Sequence, residues 1–208
     1  MKGFFYKRIE FFIIFICVPI SFVLNYPATI KLLIGATGFF YIIFVLLHVE
    51  KKKFSIAQGL NWKKFWKQTM IKLFGIIVVT TVYVWVFDHS SLFTVFYNKP
   101  IMWISILFIY SVFSVYPQEL IYRTFFFHRY DTIFESKGLL IFINAIVFCL
   151  GHLFFKNTLV LVLTFLGGIL FALTFKKTKS TLLVSIEHAI YGCWLFTVGM
   201  GNMLGFPS

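Results

Sequence analysis

The chain has 208 residues, of which 60% are hydrophobic, 22% aromatic and only 12% charged. A water-soluble domain carries roughly twice that charged share, and so little polar surface would not cover a fold in water. The formal net charge of +12 would point to nucleic acid in a soluble protein. Here the position of the charges matters more than their sum, and no nucleic-acid partner is expected.

Seven apolar stretches approach the ~20 residues needed to cross a bilayer. They lie at 9–26, 29–49, 69–87, 100–121, 138–155, 158–175 and 180–198. The runs are long and lack the alternation of a barrel wall, which predicts an all-α polytopic bundle of about seven transmembrane helices. The first stretch is followed by too many others to be only a secretory signal. Pro19 should kink it, and Asn25-Tyr26-Pro27 should turn the chain into the second. Asp88-His89-Ser90-Ser91 ends the third, Lys156-Asn157 separates the fifth from the sixth, and Lys176 to Ser180 separates the sixth from the last. No internal repeat and no soluble second domain is evident. The expected organisation is N-terminal membrane helices over 1–99, a core over 100–200 and a short tail at 201–208.

The basic residues orient the bundle. With the N-terminus in the cytoplasm, that side holds Lys2, Lys7 and Arg8, the seven lysines from Lys51 to Lys72, Arg123, Arg129, Lys137, Lys176, Lys177 and Lys179. Only Lys31, Lys99 and Lys156 fall on the other side, so the positive-inside rule favours this topology. The one long polar connection, 50–72, is then cytoplasmic. It mixes lysines with Phe54, Leu60, Trp62, Phe65 and Trp66, as a helix lying on an anionic membrane surface would; a plain solvated loop is the alternative. Cys17, Cys149 and Cys193 sit inside apolar stretches without disulfide or zinc spacing and read as small packing residues.

Ionisable groups within hydrocarbon are costly and usually have a role. In the first three spans they sit near boundaries: Glu10, Lys31, His48 and Glu50 are placed to reach head groups. The C-terminal half differs. Glu119 and Arg123 stand at the inner end of span four, His152 well inside span five, and Glu187 with His188 about two turns into span seven. Glu119 and Arg123 are four apart and share a helix face, as do Phe148 and His152, and His188 and Gly192. Two histidines and a carboxylate converging from three helices are able to hold a metal such as zinc. They are equally able to polarise a water, with the carboxylate accepting a proton and a histidine steadying the oxyanion. Plainer readings exist for each: a structural ion pair at Glu119–Arg123, a hydrogen-bonded interior His152, a polar interhelical contact at Glu187-His188. Their joint occurrence in one half of the chain favours a site.

The segments QELIYR at 118–123, FCLGH at 148–152 and HAIYG at 188–192 resemble, in order, the EExxxR, FxxxH and HxxxN motifs of the CPBP intramembrane protease family. That family includes CAAX prenyl endopeptidases and bacterial Abi or bacteriocin-immunity proteins, and the resemblance covers roughly residues 100–200. It implies a glutamic or metal-dependent protease in a bacterial cytoplasmic membrane. The implied partners are membrane lipid and a peptide or lipidated-peptide substrate, cleaved near the membrane in a cavity open to the cytoplasm. The chain departs from the pattern twice. Gln118 stands where the first carboxylate of the EE pair belongs, and an amide is no general base. Gly192 replaces the Asn of the third motif and offers no side-chain donor. The carry-over assigns Glu119 as base, held by Arg123, with His152 and His188 on water, oxyanion or metal, the last being zinc if one is used. Gln118, Phe148, Glu187 and Gly192 support the site. Glu187 is a second candidate base, but neighbours on a helix diverge by about 100°, so it and His188 do not face one water squarely. At ~1.5 Å per residue His152 lies about 20 Å along its span and His188 about 12 Å along its own, so they meet only if span five starts deeper, tilts or bends near Gly151. Two other functions fit the same composition. One is a non-catalytic relative acting as a membrane immunity or scaffold protein. The other is a small proton-coupled carrier, which the absence of inverted halves disfavours.

Overall fold

Away from water, each backbone N–H and C=O must be satisfied within its own segment, so long apolar runs become long helices. The computed structural model describes residues 2–51 and 60–205, and its described residues contain helices and no strand. We label the long helices α1 (2–21), α2 (Ala28–Val49), α3 (Trp62–Phe87), α4 (Pro100–Tyr130), α5 (Lys137–Phe155), α6 (Thr158–Thr178) and α7 (Thr181–Val198). Six of these, α2 to α7, are long and apolar enough to cross a membrane. The remaining one, α1, is counted as a span in the sequence reading and carries Lys2, Lys7, Arg8 and Glu10 in its first half. Large apolar side chains face outward, with Ile101 82% and Phe87 73% exposed, as lipid contact requires. The protein is an integral, multi-pass membrane protein.

Local sequence sets the helix boundaries. Asn61, Ser136, Asn157 and Ser180 cap α3, α5, α6 and α7, each side chain accepting from a backbone N–H in the first turn. Lys156 and Lys179 take left-handed conformations that break the chain between α5 and α6 and between α6 and α7. Two prolines lie inside helices, and each follows a wide π-helical stretch: Ile13–Cys17 before Pro19, and Tyr110–Val115 before Pro117. The widened turn makes room for the ring and for the N–H it lacks, so neither proline breaks its helix.

Two boundaries differ from the sequence reading in a way that matters. α4 runs on to Tyr130 rather than ending at 121, so Arg123 is an interior residue, not one at a helix end. α3 begins at Trp62 rather than 69, which puts Lys72 within a membrane-crossing helix instead of the polar connection. Of the segment 50–72, residues 52–59 lie outside the described residues.

The chain forms two compact units, residues 1–55 with 118–179, and residues 56–117 with 180–208. This division cuts across the expected 1–99 and 100–200 regions, with the boundary inside α4 between Pro117 and Gln118. The first unit is built on aromatic packing of α1 against the end of α4: Phe15 meets Tyr122, Phe125, Phe126 and Tyr130 at ring-centroid distances of 5.6, 6.4, 5.5 and 5.9 Å. The second unit packs the first half of α4 on α7 around Ile106, Tyr110, Val115 and Phe196. There Trp103 Nε1 donates to Thr197 Oγ1 at 3.0 Å, and Trp194 Nε1 donates from α7 to Thr80 Oγ1 of α3 at 2.9 Å. These bonds pin the register of α7 against both neighbours.

Candidate active site

Glu119 and Arg123 are both fully buried, with Arg123 Nε 3.3 Å from Glu119 Oε2. The pair sits where α4 passes from an α-helical turn, Tyr116–Glu119, into a second π-helical stretch, Leu120–Phe125. Isolated π turns within α-helices are common at functional sites. Such a charged pair survives in an apolar interior only if its remaining valences are met. Asn144 of α5, itself fully buried, does much of this. Arg123 Nη1 donates to Asn144 Oδ1 at 2.8 Å, and Asn144 Nδ2 donates to the Tyr122 carbonyl at 2.6 Å. The flat face of the guanidinium lies 4.6 Å from the Phe148 ring centre and 5.8 Å from that of Phe171.

Phe148 and His152 are the ends of the FxxxH segment, and the geometry gives each a task. Phe148 carries the Arg123 guanidinium on its ring, and that ring also stands 4.8 Å from the imidazole of His152. His152 Nδ1 is 2.8 Å from the Phe148 carbonyl oxygen. A carbonyl only accepts, so Nδ1 bears the hydrogen directed at it. His152 is not well inside a regular helix, as its position in span five implies. The α-helical part of α5 ends at Leu150, and His152 sits at φ −107°, ψ 4°, between it and a short 3₁₀ turn. Such bridge-region backbone recurs at active sites. The break falls at Gly151, where a Cβ would collide with the Tyr122 hydroxyl of α4. Glycine is needed there for the close approach of two helices.

His188 and Gly192 belong to the second unit. The His188 ring stands edge-on to Tyr110, with centroids 6.0 Å apart and planes at 81°. A Cβ on Gly192 would run into the ring and hydroxyl of the same tyrosine. Glu187 faces elsewhere. Its Oε1 accepts from Tyr191 Oη at 2.7 Å and is ion-paired with Lys72 of α3, while Tyr191 Oη also lies 3.1 Å from the Thr69 carbonyl. The expected site residues therefore fall into three groups: Gln118, Glu119, Arg123, Phe148 and His152 in the first unit, His188 and Gly192 with Tyr110 in the second, and Glu187 tied to α3. Among the described residues, neither unit gathers three His, Cys, Asp or Glu side chains placed to hold a metal ion.

One polar network was not legible in the sequence. Glu10 and Glu50, expected to reach toward head groups, instead meet Arg129 near the end of α4. Arg129 Nε donates to Glu10 Oε2 at 2.8 Å and Nη1 to Glu50 Oε1 at 2.6 Å. Tyr130 donates to Glu10 Oε2 at 3.1 Å, Tyr41 donates to Glu10 Oε1, and Tyr6 lies 2.8 Å from Tyr41. Glu10 and Arg129 are 5% and 7% exposed, so this is an interior ion pair rather than a boundary one. Asn144 was missed as well. Its only signal was a lone amide in an apolar run, one turn before Phe148.

A protein-family model described as type II CAAX prenyl endopeptidase Rce1-like matches residues 100–194. The matched region contains all three motif segments and Tyr110. No curated protein and no solved structure matches the chain.

Proposed function

We propose, from residues 100–194 belonging to the CPBP and CAAX protease family, that this chain is an intramembrane peptidase with Glu119 as its general base. The observation that carries the reading is the fully buried Glu119–Arg123 pair, held by Asn144 and by the Phe148 ring, which in turn abuts His152. A carboxylate kept in an apolar interior at such cost is a group with work to do.

In this reading Glu119 takes a proton from water as the water oxygen adds to the scissile carbonyl carbon. The proton then passes to the departing amine as the C–N bond breaks. Arg123 fixes the carboxylate and balances its charge. With Nδ1 turned to the Phe148 carbonyl and its ring beside that of Phe148, His152 is assigned to orienting the water. The oxyanion falls to His188. The substrate is a peptide or lipidated peptide at the membrane, of which a prenylated C-terminus is the class the family description names.

The test is cleavage of a quenched, farnesylated C-terminal reporter peptide by the protein in liposomes. Glu119→Ala, His152→Ala and His188→Ala should each abolish turnover while insertion and folding persist, and Gln118→Glu should leave turnover unchanged or raise it. Full activity in all three alanine variants would overturn the reading. Metal analysis with chelator treatment separates direct base catalysis from a zinc-held water. Gln118 and Gly192 favour one competing role, a non-catalytic immunity or scaffold protein. Partner binding or immunity that survives the triple alanine variant would support that role.

A further inference from the structure

Gly192 leaves the third motif without its side-chain donor, and the structure fills the vacant place from another helix. A Cβ on Gly192 would meet the Cε1, Cζ and hydroxyl of Tyr110. The phenol end of Tyr110 thus lies where an asparagine at 192 would begin its side chain. Gly192 is one helical turn beyond His188 on the same face of α7. Tyr110 also stands edge-on to the His188 ring at 6.0 Å. A hydroxyl and an imidazole therefore share one side of α7 within a single turn.

The placement is not a loose one. Ser111 Oγ lies 3.5 Å from Cys193 Sγ, and Trp103 is hydrogen-bonded to Thr197, so contacts on both sides of Tyr110 hold α4 in register with α7. Tyr110 is also the first residue of the π-helical stretch Tyr110–Val115. Gly192 and Tyr110 fit as a matched pair: with the tyrosine in place, no residue bearing a Cβ fits at 192. The two departures are complementary in chemistry as well as in shape, because a phenol O–H and an amide N–H are both neutral hydrogen-bond donors.

We propose that Tyr110 is a catalytic residue whose hydroxyl replaces the missing amide at 192, donating with His188 to the oxyanion of the tetrahedral intermediate. This rests on the peptidase reading above. The competing view is that Tyr110 only fills the apolar cluster with Ile106, Val115 and Phe196.

The experiment measures kcat and KM on the farnesylated reporter in liposomes, beside thermal unfolding of each variant. Tyr110→Phe keeps the ring and removes only the donor. Its kcat should fall by about 10²–10³, the usual loss for one oxyanion donor, with little change in KM or melting temperature. Tyr110→Ala should be as poor, and adding Gly192→Asn to it should restore much of the kcat by moving the donor back to α7. A Tyr110→Phe variant with wild-type kcat overturns this proposal and leaves the peptidase reading standing, provided Glu119→Ala is inactive. If Tyr110→Phe fails to fold, the Tyr110→Ala/Gly192→Asn pair decides alone: recovery supports the donor role and its absence overturns it. No cleavage by the wild-type protein overturns the peptidase reading, and this one with it.

Discussion

Asn144→Ala tests whether the buried charge pair of α4 depends on α5. Asn144 is fully buried and makes two hydrogen bonds, accepting from Arg123 Nη1 at 2.8 Å and donating to the Tyr122 carbonyl at 2.6 Å. A hydrogen bond to a charged group contributes about 1.5–3 kcal/mol, and the neutral one adds about 1 kcal/mol. Arg123 Nη1 also lies 3.3 Å from the Tyr122 carbonyl, so part of the second loss is recovered. The expected destabilisation is about 2–4 kcal/mol, read by reversible unfolding in mixed micelles. Asn144→Asp separates stability from positioning. It keeps an acceptor for Arg123 but offers a second carboxylate that competes with Glu119 for the same guanidinium. Its turnover should therefore fall further, relative to its stability, than that of Asn144→Ala. A loss below about 0.5 kcal/mol for Asn144→Ala, within the range of ordinary surface changes, would refute the claim that Asn144 anchors Arg123.

Two further outcomes follow from the packing. Arg129→Ala should cost about 3–5 kcal/mol, because it strands the buried Glu10 carboxylate, and Glu10→Ala should cost less, because Arg129 keeps its pair with Glu50, while the double variant should cost well under the sum. Additive losses in that cycle would mean that the two groups do not act as a pair. Gly151→Ala should destabilise by about 1–3 kcal/mol by forcing the Tyr122 ring aside. Tyr122→Phe on that background should recover only part, since the ring carbon Cζ stays 2.9 Å from the new methyl group; no recovery at all would show that the clash is not the cause.

The membrane helices were legible because hydropathy and length alone define them, and the family resemblance because three short patterns follow one another in order. The errors came where polar groups are satisfied from afar. Span four reads as ending at 121, yet Arg123 and Arg129 find carboxylates inside the protein and the helix continues to Tyr130. Glu10 lies 119 residues from Arg129, and no periodicity links them. Asn144 looked like one amide among many apolar residues, and its meaning comes from a guanidinium on another helix. From depth alone a deeper start, a tilt and a bend near Gly151 stand as equal alternatives, and the helix break at Gly151 has its cause in the Tyr122 hydroxyl, which no local pattern shows. At Gly192 the sequence lacks a side-chain donor, and only packing shows that the Tyr110 ring lies against that position.

The Glu10–Arg129 pair also bears on biogenesis. At about 5–20 residues per second, the ribosome delivers Arg129 on the order of ten seconds after Glu10. Throughout that interval the first helix carries a carboxylate without its countercharge, and parking it in lipid is unfavourable by about 2.5–3.5 kcal/mol at the bilayer centre. The two halves of this pair are thus made far apart in time, and the pair closes only once the end of α4 has emerged.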